Sequence, residues 1–307
     1  MKLKTCNIPD RLAAAFLAVG MMVLMGLGGG AARAADITSQ ELKDGLFLFQ
    51  GAGSNVIAMA DGNELLVVDG GLQENSRDLF NAIRKATGGK EIATLIDTHW
   101  HPEQVGLNER AGRDGATIIA HEQTYIYLSH RMTSPLFEGS FGPLDKRALP
   151  TQHSRGGGEL TFAGHKVVYG YLPAAHTNGD LYVFFPDLNV MVAGGAVGSG
   201  SWPLIDYWNG AFIGGLVQAH EKLVSLVKDD TIVIPAQGPA ITGAKLKADR
   251  DMYAQLFKDL QYLMNEGMGY NDAVALNPLK NHEDEFGDAS AFVNGAYRSE
   301  EMTNVPD

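Results

Sequence analysis

The sequence is almost free of cysteine. Its single cysteine, Cys6, lies within the first 34 of 307 residues. Residues 35–307 therefore cannot form a disulfide among themselves, and they offer no thiolate to a metal. Any metal site in this part of the chain has to be built from histidine and carboxylate side chains.

Long hydrophobic runs are also scarce, with one exception near the start. Residues 12–27 are almost entirely apolar, follow a basic N-terminus and are succeeded by Ala32-Arg33-Ala34. A short apolar run that ends in a small-x-small site is typical of a cleaved secretory signal rather than of a transmembrane anchor. We predict a signal peptide with cleavage between Ala34 and Ala35, and a periplasmic or secreted mature protein with no stable membrane anchor.

The sequence has fewer basic than acidic residues. The whole chain has a formal charge of −12, and removal of residues 1–34 leaves 20 basic against 35 acidic residues, or −15. An anionic protein of this kind is a poor match for nucleic acid and for anionic membranes. We expect a small-molecule partner and no nucleic acid, and the oligomeric state stays open.

Short apolar runs alternate with helical patterns along the mature chain. Strand-like runs cover residues 45–50, 55–59, 65–68, 92–96, 116–120, 160–162, 166–169, 181–185, 190–193 and 231–234. Helical spacing covers residues 76–86, 107–113, 122–131, 216–227, 245–266 and 271–276. This alternation predicts an α/β fold. We expect one domain over residues 35–307, with C-terminal helices from about residue 245 and a partly mobile acidic tail from Asn281.

Two histidines mark the clearest chemical pattern. His99 and His101 follow the buried strand that ends near Ile96, and their i, i+2 spacing on an extended loop lets both rings point the same way. His176 lies on another loop after an apolar strand. Three imidazoles hold a tetrahedral metal with one open position, where a bound water becomes acidic enough to react at neutral pH. We therefore predict one divalent metal, with zinc as the first expectation and iron as the alternative.

Five motifs in order resemble the metallo-β-lactamase superfamily. They are Asp69-Gly-Gly, His99-x-His101, His176-Thr-x-Gly-Asp180, Gly194-Gly195 and Pro235-Ala-Gln-Gly-Pro239. The resemblance spans roughly residues 40–265. It implies a four-layer αββα sandwich with metal ligands at the edge where the strands end, and an activity among metal-dependent hydrolases, with some members acting as iron oxygenases.

The departures from the family pattern all affect its second metal site. The resemblance places an aspartate and a histidine where Glu103 and Gln104 stand, a bridging aspartate at Gly195, and a last histidine at Gln237. An amide is a weak ligand and glycine offers none. The resemblance therefore implies one metal, held by the three histidines, rather than two.

The same resemblance assigns roles to four acids. Glu103 is long enough to act as a general acid/base on a water held by the metal, or it only hydrogen-bonds within the loop. Asp69 and Asp97 resemble the family's supporting acids, which orient the histidine segment by accepting hydrogen bonds. Asp180 is expected to do the same for the loop of His176.

Five further residues are candidates for substrate binding. Gln104 and Gln237 either bond a substrate carbonyl or fill the space of the missing ligands. Trp202, Tyr207 and Trp208 lie on a loop that the resemblance places near the mouth of the site, where they either contact an apolar substrate or pack under the loop.

These interpretations favour an exported, single-metal hydrolase that cleaves an ester, lactone or amide. Two alternatives stay open: a three-histidine non-haem iron oxidoreductase, and a metal-free binding protein on the same fold. The nature of the substrate is beyond the sequence, because one fold supports many activities.

Overall fold

The computed structural model describes residues 36–133 and 139–303. Within these residues, two mixed β-sheets pack face to face and helices cover both outer faces. The predicted signal peptide and its cleavage site lie outside the described residues. Among the residues that are described, no helix combines the length and the apolarity needed to cross a membrane.

The first sheet uses the N-terminal half of the chain. Its strands, in spatial order, are β1 (Thr38–Lys43), β2 (Leu46–Gln50), β3 (Val56–Asp61), β4 (Glu64–Val68), β5 (Glu91–Ile96), β6 (Thr117–His121) and β7 (Gln152–Ser154). Strands β1 to β4 are antiparallel hairpins, and β4 to β7 run parallel. The carboxyl ends of the parallel strands therefore meet at one edge.

The second sheet is mostly antiparallel. Its strands are β8 (Gly157–Phe162), β9 (His165–Tyr171), β10 (Leu181–Phe185), β11 (Val190–Gly194), β12 (Ile232–Pro235) and β13 (Ile241–Thr242), in the spatial order β13-β12-β11-β10-β9-β8. Strands β11 and β12 form its parallel pair.

The helices divide between the two faces of this double sheet. In chain order they are α1 (Ser76–Thr87), α2 (Asn108–Asp114), α3 (Glu122–Ser129), α4 (Ile213–Leu226), α5 (Gly243–Asn265), α6 (Tyr270–Leu276), α7 (Glu283–Phe286) and α8 (Ser290–Thr303). Helices α1 and α2 contribute to the core on the outer face of the first sheet, and α4, α5 and α8 to the core on the outer face of the second. The predicted four-layer αββα sandwich is confirmed.

Strand β4 shows why the strands appear in the sequence as continuous runs of apolar residues. Leu66 and Val68 pack between the two sheets, whereas Leu65 and Val67 pack against the helices outside. Successive side chains of a strand point to opposite faces, so a strand buried on both faces has no polar side.

The acidic segment from Asn281, which we expected to be partly mobile, instead forms α7 and α8. Phe292, Val293, Ala296 and Tyr297 lie on one face of α8 and are buried. Their spacing is that of an amphipathic helix, which the acidic residues around them obscured. This segment is therefore part of the core.

The end of the chain also supports a loop of the second sheet. Trp202 stacks on Phe286 and Phe292, with ring centroids 4.6 and 5.1 Å apart. Its indole Nε1 donates a hydrogen bond of 2.9 Å to the carbonyl of Gly287. These contacts with α7, α8 and the residue after α7 therefore fix the position of the Trp202 side chain.

Candidate metal centre

Four chain segments meet at the edge where the strands end. Asp69 follows β4, and residues 97–101 follow β5. His176 lies between β9 and β10, and Gly195 follows β11. Because β4 and β5 are parallel, and both sheets present their loops here, residues far apart in sequence come together.

The three predicted ligands form one buried cluster. His99, His101 and His176 are all buried, and their ligand nitrogens lie within 4.8 Å of one another. Nε2 of His176 lies 3.1 Å from Nε2 of His99 and 2.9 Å from Nδ1 of His101. The rings stand nearly perpendicular to one another, with interplanar angles of 81–83°. The arrangement converges three nitrogens on one point.

The outward nitrogen of each ring has its own partner. His176 Nδ1 donates to the carbonyl of Leu204 over 2.7 Å, and His101 Nε2 donates to the carboxylate of Asp206 over 3.1 Å. His99 Nδ1 lies 3.0 Å from the hydroxyl of Thr98, whose own proton goes to Asp69. These partners keep a proton on each outward nitrogen, so each inward nitrogen presents a lone pair.

Three inward lone pairs so close together repel one another unless a cation lies between them. Nitrogens bound to one tetrahedral zinc at 2.0–2.1 Å lie about 3.3 Å apart, close to the separations in this cluster. Burial, followed by the other histidines, lowers the pKa of His99 well below its usual value. Burial likewise lowers the pKa of His176 to about 3. The donor set fits a divalent metal.

Asp69 supports the segment that bears His99. It is buried, and its two carboxylate oxygens accept from the backbone N–H and the hydroxyl of Thr98, over 2.8 and 3.0 Å. Burial raises its pKa well above the usual value, while the bonds from Thr98 oppose that shift. Asp69 therefore acts on His99 through Thr98 and does not touch the ligand cluster itself.

The other two acids have different neighbours. Asp97 accepts a 2.7 Å hydrogen bond from the side chain of Asn108, and burial raises its pKa to about 7. Asp180 accepts from the backbone N–H groups of His176 and Thr177 and from the Thr177 hydroxyl, over 2.6–3.0 Å. Burial raises the pKa of Asp180 to about 6. Asp180 therefore stabilises the loop that bears His176. Asp97 lies at the start of the segment that bears His99 and His101, and it links that segment to α2.

Asp206 is the functional residue that the sequence analysis missed. It is fully buried, and Oδ2 lies between His101 and the Asn209 side chain, which donates to it over 2.7 Å. Its backbone N–H also donates to the carbonyl of His176. The one available signal was an acid embedded among apolar and aromatic residues of its loop. No motif spacing relates it to His99, His101 and His176, which precede it by 107, 105 and 30 positions.

A cavity of about 230 Å³ opens beside the histidines. Glu103, His176, Gln237 and Trp202 all line it. Oε1 of Glu103 lies 3.9 Å from Nδ1 of His101, and the side chain is 29% exposed. The structure therefore brings the predicted acid/base together with two of the predicted substrate-binding residues.

The remaining predicted substrate-binding residues lie elsewhere. Gln104 is fully buried, and neither of its amide atoms has a hydrogen-bond partner among the described residues. Tyr207 packs against the core outside the second sheet, and Trp208 is 52% exposed beside it. None of the three lines the cavity described above.

Gly195 has a steric reason to be glycine. A Cβ atom at this position would come within 2.2–2.5 Å of ring atoms of His176. The imidazole therefore occupies the space that a side chain at residue 195 needs. An aspartate at Gly195 and the observed position of His176 exclude each other.

A family model for the metallo-beta-lactamase superfamily matches residues 50–238, more than half of the chain. The chain belongs to the metallo-beta-lactamase superfamily. The matched range contains all three histidines and all of the positions at which this chain departs from the family pattern.

Solved structures share the fold at low sequence identity. DIM-1 metallo-beta-lactamase is 20% identical, with a TM-score of 0.56 over 71% of this chain and 97% of that one. A metallo-beta-lactamase from Pontibacter korlensis is 16% identical, with a TM-score of 0.58 over 71% and 99%. The stereoselective inverting sec-alkylsulfatase Pisa1 from Pseudomonas sp. is 15% identical, with a TM-score of 0.63 over 88% of this chain but 52% of that one. These similarities concern the fold.

Asp206 can be tested by an isosteric change. Asp206→Asn removes the charge that holds the proton on His101 Nε2, and we expect zinc affinity to fall about 10- to 100-fold. Competition with a chromophoric chelator measures this affinity. Asp187→Asn is the matched control, because Asp187 also contacts a histidine, His165, but at the surface. An unchanged affinity in Asp206→Asn would show that this carboxylate has no part in the site.

Gly195 offers a test in the opposite sense. Gly195→Asp restores the residue type that the family places there, yet we expect metal content to fall below that of the unaltered chain because the new side chain displaces His176. Elemental analysis and chelator titration give the stoichiometry. Gly156→Asp is the control, since a Cβ at exposed Gly156 meets no atom within 4 Å. Two metals per Gly195→Asp chain would contradict the steric argument.

Proposed function

We propose that this protein is a single-metal hydrolase of a small-molecule substrate. The observation that carries the proposal is the convergence of three inward imidazole nitrogens beside an open cavity that Glu103 also lines. The proposed bond is the carbonyl–heteroatom bond of an ester, lactone or amide. The proposed metal is zinc, with iron as the alternative.

A divalent metal at this site would polarise the substrate carbonyl and lower the pKa of a coordinated water. The protein's part is to position the groups around it. His99, His101 and His176 are locked in orientation by their outward hydrogen bonds, so little reorganisation accompanies the reaction. The supporting contacts come from Thr98, Asp206 and the Leu204 carbonyl.

Glu103 is the group placed to move a proton. Its carboxylate lies 3.9 Å from the inward nitrogen of His101, and its partial exposure lets it exchange protons with solvent. A carboxylate in this position can take a proton from the attacking water and return it to the leaving group. We propose this general acid/base role for Glu103, with Asp69 and Asp206 as positioning residues.

A single metal is favoured by the side chains around the site. Gly195 has no ligand atom, and the His176 ring occupies the space beside it. Gln237 is exposed, and its amide donates a long bond of 3.4 Å to the carbonyl of Gly53. Neither Gln237 nor Gln104 offers an anionic ligand for a second cation.

Glu103→Gln tests the proposed reaction. We expect turnover of a carboxylic ester to fall about 10²- to 10⁴-fold while metal content is retained, because the amide cannot accept the proton. Rates and elemental analysis measure the two quantities. His99→Ala should lose both metal and turnover, and Glu109→Gln, which alters an exposed carboxylate on α2, should lose neither.

The same measurements separate the rival functions. An iron oxidoreductase would co-purify with iron and consume oxygen during turnover. A metal-free binding protein would contain no zinc, iron or manganese, and His99→Ala would leave its ligand binding unchanged. Either result would replace the hydrolase proposal.

We also propose that the protein acts outside the cytoplasm, in the periplasm or after secretion. The N-terminal pattern of a basic start, an apolar run and the Ala32-Arg33-Ala34 site supports this. We expect N-terminal sequencing of the exported protein to begin at Ala35. A mature chain that retains residues 1–34 would contradict the predicted cleavage.

A further inference from the structure

Two cavities meet at Gln237. The first is the 230 Å³ cavity beside the histidines, and the second is a shallower hollow of about 270 Å³. The second lies along the loop between β2 and β3 and is lined by Gln50, Gly51, Gly53, Ser54, Asn55, Gln237 and Gly238. Since Gln237 lines both, the two cavities are neighbours at this side chain.

The walls of these two cavities include an acidic side chain but no lysine or arginine among the described residues. Glu103 is the only Asp, Glu, Lys or Arg side chain among the described residues that line either cavity. The other polar lining groups are neutral amides, hydroxyls and the imidazole of His176. Proteins bind carboxylate, sulfate and phosphate groups mainly through arginine, lysine or clustered backbone N–H groups. The two cavities offer no cationic side chain for this purpose.

The positive charge of a bound metal would be offset by carboxylates beside it. A divalent cation on three neutral imidazoles would carry two positive charges, and the side chains of Glu103 and Asp206 lie beside the same histidine. Both carboxylates lie next to His101, at 3.9 and 3.1 Å. An anionic substrate would therefore meet a centre whose positive charge is offset by neighbouring carboxylates, one of which, Glu103, lines the cavity.

The first cavity is small and has an apolar wall. Val197, Trp202, Pro203, Leu204 and Ala236 supply that wall. A volume of about 230 Å³ lies below the roughly 300–1,000 Å³ that is usual for small-molecule sites. This favours a compact acyl group over a large ring system.

We propose that the substrate of this site is an uncharged ester or lactone with a compact apolar acyl group, and that the site discriminates against substrates carrying an anionic group. The proposal rests on the proposed hydrolase function and specifies its substrate class. The apolar acyl group lies against Trp202, and the uncharged polar remainder lies over Gln237.

Three esters with one leaving group test this directly on the zinc-loaded protein. They are p-nitrophenyl butyrate, p-nitrophenyl hydrogen succinate and p-nitrophenyl methyl succinate. The scissile bond is the same in all three, and the methyl succinate controls for the extra size of the succinate. We expect kcat/KM for the anionic hydrogen succinate, after subtraction of the uncatalysed cleavage that its own carboxylate promotes, to be about 100-fold lower than for the methyl succinate, because like charges repel strongly at a partly buried site.

Gln237→Lys and Gln237→Met sharpen the test. The lysine adds a cation where the two cavities meet, and the methionine changes the same side chain without adding charge. We expect Gln237→Lys to reduce the discrimination against hydrogen succinate about tenfold, and Gln237→Met to leave it in place. Calorimetric binding of the matched ketones, in which a CH₂ group replaces the ester oxygen of the butyrate and of the hydrogen succinate, should show the same preference, because a ketone has no carbonyl–heteroatom bond to cleave.

The outcomes separate this proposal from the function on which it rests. Hydrolysis of hydrogen succinate as fast as methyl succinate, or faster, would overturn the substrate class and leave the hydrolase intact. A failure of all three esters to exceed the His99→Ala background would overturn the hydrolase itself, and this proposal with it.

Discussion

Mutual repulsion among three buried nitrogen lone pairs is the constraint on which the rest of this site depends. Imidazoles buried this closely are tolerated when each carries its proton on the outward nitrogen and a cation lies among the inward ones. The protein meets the first condition with three different groups: a carboxylate, a hydroxyl backed by a carboxylate, and a backbone carbonyl. Asp69, Asp206 and the loop at Leu204 are therefore as much a part of the centre as the histidines.

The same three rings explain how the chain departs from its family. The His176 imidazole lies against the backbone of Gly195, in the space of a side chain. The chain therefore does more than lack a ligand at residue 195, because the ring of His176 also fills the space that the ligand's side chain would need. A second departure lies on the segment that bears His99 and His101. There Gln104 stands where the family pattern has a histidine, and its amide is buried without a hydrogen-bond partner among the described residues.

Periodicity and motif order predicted most of the fold. Every strand and helix expected between residues 45 and 276 is present, with ends shifted by three residues at most. Strands β1, β7 and β13 were not predicted. β1 is largely exposed and polar, and β7 and β13 are very short, so neither strand alternation nor length distinguished them from loops. Helices α7 and α8 were missed because acidic residues masked their apolar face.

The site was predictable where chemistry follows local spacing and unpredictable where it depends on tertiary contact. The i, i+2 spacing of His99 and His101 after a buried strand predicted their convergence, and family order supplied His176. Nothing local predicted that Asp206, 105 positions beyond His101, contacts its ring. Tyr207 and Trp208, its neighbours on the same loop, were chosen for their aromatic rings, yet neither lines the cavity to which Trp202 contributes.

The residues that support the side chain of Trp202 are synthesised after the residues of the metal centre. His99, His101, His176 and Asp206 are all encoded before residue 207. Phe286 and Phe292, which hold the indole in the cavity wall, are synthesised later, 80 and 86 positions after Asp206. A chain arrested before them has all three histidine side chains but lacks the residues that support one wall of the cavity. The side chains that would bind a metal and the side chains that fix this cavity wall are therefore made at different moments in the synthesis of this protein.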